Sequence, residues 1–137
     1  MRKILSMTIL LALISIVFTL VLAEEPKVTW EYAKGGMGMG VVRDASFEEV
    51  WNKIQDILFF EKFKPKKSVF KHTFEPISVE KTSGLISVKG FVGGTFKYTF
   101  KIIIREKEGQ VIVKTQCNSS WKKVVTQKFW QLLEEGL

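Results

Sequence analysis

An uncharged apolar run near the amino terminus constrains this chain more than any other feature. Residues 4–23 contain no charged side chain; two basic residues precede them, and two glutamates and a proline follow. A basic start, an apolar core and small residues before a cleavage point are typical of an export signal, and Val21 and Ala23 are placed for cleavage after residue 23. Because about 20 apolar residues also suffice to span a bilayer, the sequence predicts that residues 1–23 are a signal peptide or an amino-terminal membrane anchor.

The location of the remaining chain follows from that leader. The positive end of such a segment stays in the cytoplasm, so residues 24–137 are predicted to be extracytoplasmic, either periplasmic or secreted, and tethered to the membrane if the leader is retained. They are long enough for a single domain and too short for two. Their only cysteine, Cys117, allows no internal disulfide and lies too far from the leader to carry an amino-terminal lipid.

Hydrophobic periodicity predicts the fold class. A first strand, either single or bent into two, precedes a helix that opens with a capping box of Ser46 and Glu49; two hairpins and a final helix follow. Asn118, Ser119 or Ser120 is predicted to cap the final helix. Because no strand–helix–strand unit repeats, the order indicates one α+β domain over residues 24–137. Its predicted core is an antiparallel sheet of about four to six strands with two helices packed on one face.

This order resembles the helix-grip domains, in which an antiparallel sheet holds a carboxy-terminal helix. The segments Ser46–Trp51, Glu80–Ile86 and Lys123–Leu133 resemble those of exported envelope proteins of the Bam C lipoprotein type. The Ala-Ser-x-Glu-x-Val-Trp start of the first helix is also similar to that of the lipid-binding helix-grip superfamily. Both resemblances imply the fold, and neither supplies functional residues.

Residue types that carry chemistry do not form a recognisable catalytic, metal or cofactor motif. His72 is the only histidine, and no candidate base is adjacent in sequence to Cys117. The glycines of residues 35–40 lack the spacing and the following Lys-Ser/Thr of a phosphate-binding loop. We therefore predict a protein that is not an enzyme and has no cofactor. Residues 24–137 contain 19 Lys and Arg against 14 Asp and Glu, a modest basic excess that does not require nucleic acid, so we also predict that the chain binds none.

The most informative segment for function is a basic and aromatic stretch, residues 59–71, with five lysines and four phenylalanines. Lysines attract anionic headgroups, and phenylalanine can enter the membrane interface. The leading hypothesis is therefore a binding or accessory module of the cell envelope that contacts a protein partner or an anionic membrane surface. The predicted contact residues are Lys62, Phe63, Lys64, Lys66, Lys67 and Lys71.

The alternative hypothesis is a small carrier of an apolar ligand or lipid. Its pocket would lie between the sheet and the final helix, and its predicted lining is Trp30, Met39, Phe100, Trp121, Val125 and Phe129. A carrier needs an interior void of about 300 Å³ or more, whereas a surface module has a packed interior and an exposed aromatic and basic patch. A filled interior with Phe63 buried would count against both hypotheses and leave a purely structural role.

Overall fold

The computed structural model describes residues 26–137, so the predicted signal peptide or anchor, residues 1–23, lies outside the described residues. Its elements are β1 (Val28–Ala33), β2 (Met37–Val42), α1 (Phe47–Gln55), a π-helical turn (Asp56–Phe60), β3 (His72–Glu80), β4 (Leu85–Val92), β5 (Thr95–Lys107), β6 (Gln110–Cys117) and α2 (Lys122–Gly136). Neither helix within the described range is long and apolar enough to cross a membrane.

The six strands form one sheet in the order β1-β2-β6-β5-β4-β3, and every neighbouring pair is antiparallel. The predicted α+β class, an antiparallel sheet with two helices packed on one face, is confirmed. The capping box is also present, because the Glu49 amide donates to Ser46 Oγ at 3.1 Å. The predicted cap of the final helix is wrong: Trp121 occupies the N-cap position without a side-chain bond, and Ser119 Oγ accepts from the Trp121 amide instead.

Both helices cover the same face of the sheet. Along β5, alternate residues from Tyr98 to Ile104 are buried, while Lys97, Lys101 and Arg105 on the opposite face are exposed. The buried apolar residues of α1 and α2 join those of the sheet in one cluster. All buried apolar residues of the described chain lie between Val28 and Leu133. A chain that starts at residue 24 therefore keeps the whole described core.

The glycines of strand β2 lie on the face of the sheet that the helices cover. Gly38 and Gly40 are buried, whereas Met37 and Met39 are exposed on the opposite face of the sheet. A Cβ atom on Gly38 would lie 2.6 Å from Trp130 Nε1, and one on Gly40 would lie 2.7 Å from Trp130 Cη2. The strand therefore has no side chains where the indole of Trp130 in α2 packs against it. The prediction that Met39 lines an interior pocket is wrong, because Met39 is exposed on the opposite face of the sheet.

Candidate functional site

The basic loop, residues 62–71, connects the π-helical turn to β3 and is held by its inward-facing residues. Phe63, Pro65 and Ser68 are buried. The His72 amide donates to the Phe63 carbonyl at 2.7 Å, and the Ser68 amide donates to the Pro65 carbonyl at 3.2 Å. These contacts fix the loop against the edge of the sheet at several points.

Phe63 is an anchor and not a contact residue, so its predicted place on the exposed surface is wrong. Its side chain is 1% exposed. The ring meets Phe74 edge to face with centroids 4.9 Å apart, and it also lies against His72. Burial of an aromatic ring contributes strongly to the stability of the folded state, so the Phe63 side chain attaches the loop to the core.

A buried hydrogen-bonded chain joins the loop to the sheet through His72. Ser68 Oγ donates to the Phe70 carbonyl at 2.6 Å and lies 3.2 Å from His72 Nε2, while His72 Nδ1 lies 2.7 Å from the Tyr98 hydroxyl. Burial lowers the pKa of His72, which favours a neutral ring, and burial raises the pKa of Tyr98, which keeps its hydroxyl protonated. One arrangement satisfies all of these groups: Tyr98 donates to Nδ1, and Nε2–H donates to Ser68 Oγ.

This arrangement does not activate Ser68 as a nucleophile. A serine nucleophile needs a histidine nitrogen that accepts its proton, whereas here the histidine donates and the hydroxyl proton points to a backbone carbonyl. Cys117 is buried as well, and burial raises the pKa of its thiol to about 12. Within residues 26–137, no group of three or more His, Cys, Asp or Glu side chains is placed to hold a metal ion.

We expect the His72 chain to make folding sensitive to acid. The folded-state pKa lies below the ordinary value of 6.5, so the unfolded chain binds a proton more readily. This stabilising contribution is complete above pH 6.5 and is lost as the pH falls from there toward the folded-state pKa. Between about pH 7.5 and pH 5.5, the loss should reach at most about 1.4 kcal/mol, since one pKa unit corresponds to that free energy.

Urea unfolding at the two pH values, with the His72→Gln variant as control, measures this dependence. His72 is the only histidine, so the variant should show a smaller change in unfolding free energy over that interval. Equal changes in the two proteins would contradict the assignment.

The outward-facing residues of the basic loop combine positive charge with apolar side chains. Lys62, Lys64, Lys66, Lys67 and Lys71 are all exposed, as predicted. Val69 is 81% exposed and Phe70 is 59% exposed, and Phe60, just before the loop, is 81% exposed. The chain reverses at Lys67, whose φ angle of 68° is in the left-handed region. The exposed apolar tip is therefore Val69 and Phe70, in place of the predicted Phe63.

Negative charge is absent from the loop itself. Residues 62–71 contain no Asp or Glu. The preceding carboxylate, Glu61, is in an ion pair with Lys53 of α1. Within residues 26–137, no ion pair involves a lysine of the basic loop. The electrostatic potential at this surface is therefore positive, and the lysines can attract an external anion.

The predicted carrier pocket is not formed in the described part of the chain. Phe100, Val125 and Phe129 are fully buried, and the rings of Phe100 and Phe129 are in edge-to-face contact at 5.3 Å. Trp30 stacks on Trp130 at 5.6 Å, and Trp121 lies edge-on against His72 at 5.1 Å. The helix and sheet thus fill the space between them with aromatic rings. Of the residues predicted as a lining, Trp30 and Met39 border one groove of about 290 Å³, which the buried Phe100, Val125 and Phe129 do not line.

No protein-family model matches the chain, and no curated protein matches it significantly. Five chains of solved structures match. One is CalU16 from Micromonospora echinospora, which is 13% identical, covers 79% of this chain and 77% of its own, and superposes with a TM-score of 0.44. A likeness at this level says nothing about the function of this chain.

Proposed function

We propose that residues 24–137 form a non-enzymatic module that binds an anionic membrane surface outside the cytoplasm through the basic loop. The filled interior and the buried Phe63 count against the module as the sequence predicted it, with Phe63 as a contact residue. The observation that carries the proposal is instead the exposed pair Val69 and Phe70, which lies in the same ten-residue loop as five exposed lysines. The lysines attract the headgroups, and the apolar pair enters the interface below them.

The fixed shape of the loop favours binding. Phe63, Pro65 and Ser68 hold the backbone from the inside, so the outward side chains are presented without ordering of a flexible segment. A preorganised site loses less conformational entropy on binding than a disordered one. The attraction between the lysines and an anionic surface is therefore offset little by the entropy cost of ordering the loop.

The composition of the loop favours a membrane over a protein partner. Protein–protein interfaces are depleted in lysine and enriched in arginine, whereas the ten residues of this loop include five lysines and no arginine. Clustered lysines beside exposed apolar side chains are typical of segments that bind acidic lipid.

The predicted leader, whether retained or cleaved, is compatible with membrane binding by the basic loop. A retained leader would tether the domain and keep the loop at a high effective concentration near the bilayer. A cleaved leader would release the domain into a compartment bounded by membranes, where the loop alone would provide the attraction.

Removal of the apolar tip tests the proposal. We expect the double variant Val69→Ser/Phe70→Ser of residues 24–137 to bind vesicles of phosphatidylcholine mixed with phosphatidylglycerol at least about 10-fold more weakly, since each buried apolar side chain contributes about 1.5–3 kcal/mol. Co-sedimentation at low ionic strength measures the binding.

The matched control is Ile77→Ser/Val79→Ser, which removes two exposed apolar side chains from β3 and should leave binding almost unchanged. Wild-type protein that fails to bind the mixed vesicles, or that binds neutral vesicles equally well, would refute the proposal. An equal loss in the two double variants would also count against it.

A further inference from the structure

A groove of about 300 Å³ lies between Lys66 of the basic loop and one face of α2. Val124, Gln127, Lys128 and Gln131 form the helical wall. Their spacing of three and four residues places them along one side of the helix. The loop and the helix therefore build this site together.

The lining of the groove is suited to a single phosphate ester that also carries hydroxyl groups. Lys66 and Lys128 supply two positive charges from two different elements, and no carboxylate lines the groove. Carboxamides both donate and accept hydrogen bonds, as hydroxyl groups do. Gln131 Nε2 already donates to Glu135 Oε1 at 3.0 Å, which leaves its carbonyl oxygen to accept from a ligand hydroxyl.

Glu135 also restricts the charge that the groove can accept. Its carboxylate lies one turn beyond the lining residues and bonds to one of them. A second phosphate at that end of the groove would be repelled, since like charges destabilise each other at short range. The groove thus favours one phosphate over a polyphosphate.

The position of the groove relates it to the membrane surface. Lys66 is three residues from Val69 in the same anchored loop, so it lies near headgroup level when the apolar tip enters the interface. The volume is at the lower limit of small-molecule sites, and Val124 is the only apolar residue of the lining. The site suits a headgroup better than an acyl chain.

We propose that this groove binds the glycerol-phosphate headgroup of an anionic phospholipid and gives the module a headgroup preference beyond charge. The inference rests on the proposed membrane-binding function and adds the lipid class. The two hydroxyl groups of phosphatidylglycerol can hydrogen-bond to the carboxamides, and its single phosphate can pair with the lysines. The ammonium group of phosphatidylserine would instead lie near two lysines, which repel it.

The test compares vesicles of equal anionic content that contain phosphatidylglycerol or phosphatidylserine. We expect residues 24–137 to bind the phosphatidylglycerol vesicles about two- to fivefold more tightly, the range of one exposed charge interaction. Lys128→Gln should remove this preference. Lys122→Gln, which removes the same charge from the opposite side of α2 near Gly36, should weaken binding to both vesicles equally and keep the preference.

The outcomes separate the two proposals. Wild-type protein that binds both vesicles equally, or a preference that Lys122→Gln removes as effectively as Lys128→Gln, would overturn the groove assignment and leave the membrane function intact. Protein that binds neither vesicle would overturn the membrane function itself.

Soluble glycerol phosphate distinguishes a lipid from a free ligand. We expect it to cause only weak amide NMR shifts in residues 124–131, because it lacks the attraction of the membrane surface. Saturable binding as tight as vesicle binding would identify a soluble phosphate ester as the ligand and overturn the lipid assignment.

Discussion

Replacement of the five basic-loop lysines by glutamine is expected to reduce the affinity of residues 24–137 for phosphatidylglycerol-containing vesicles at least about 100-fold, because each lysine near an anionic surface contributes about 1 kcal/mol. The five positions are Lys62, Lys64, Lys66, Lys67 and Lys71. All five side chains are exposed, so the unfolding free energy should change little. Co-sedimentation over a range of salt concentrations should also show that the variant loses the salt dependence of the wild type.

A charge-matched control separates the loop from the net charge of the domain. Five exposed lysines elsewhere can be changed to glutamine in the same way: Lys34, Lys89, Lys101, Lys107 and Lys114. We expect this control to retain most of the binding. If it loses as much affinity as the loop variant, the attraction is general and the basic loop is not the binding site.

Phe63→Ala is expected to lower the free energy of unfolding by about 3–5 kcal/mol, the cost of removing a phenylalanine from a packed core. The ring is fully buried between Phe74 and His72, and its loss would leave a cavity beneath the loop. Urea unfolding measures the change. Phe60→Ala is the matched control, since Phe60 is exposed and its removal should change stability by less than about 0.5 kcal/mol.

A second substitution keeps this prediction testable if the alanine variant does not fold. Phe63→Leu retains much of the volume and should lower stability by about 1–1.5 kcal/mol. A Phe63 variant as stable as the wild type would show that the ring is not the anchor of the basic loop.

The sheet and helices were predictable because their signals are local. Alternation along β5 and the three- and four-residue spacing in α1 follow from burial of one face of each element, and the structure shows both. The exposure of the basic-loop lysines was predictable for a similar reason, since long charged side chains remain in water wherever the backbone runs, whereas their role as a binding surface stays a prediction.

The errors concern side chains whose direction depends on distant residues. Met39 faces outward because Trp130, 91 positions later in the chain, occupies the space beside Gly38 and Gly40. Phe63 faces inward because Phe74 and His72 receive its ring, and the left-handed turn at Lys67 then directs Val69 outward. No local pattern contains these partners, so only the folded structure identifies the apolar tip of the loop.

The buried chain Ser68–His72–Tyr98 illustrates the same limit. A lone histidine gives no sequence signal for a site, yet the fold places its ring between the loop and β5 with both nitrogens near hydroxyl oxygens. Its role is to hold the loop, because a buried polar group is stabilising when its partners are all present.

The most direct test places an environment-sensitive fluorophore at the tip of the basic loop. Val69→Cys provides an exposed thiol for labelling, while Cys117 is buried with its pKa raised to about 12 and should not react. Gln110→Cys is the control. The basic loop ends beside His72, which pairs with Val92, and Val92 pairs with Thr95 at one end of β5. Gln110 pairs with Lys107 at the other end of β5, about 40 Å along the strand from Thr95. With phosphatidylglycerol-containing vesicles, we expect a blue shift and increased emission at residue 69 and no change at residue 110. An unchanged spectrum at residue 69, or equal changes at the two positions, would contradict a membrane-binding role for the loop.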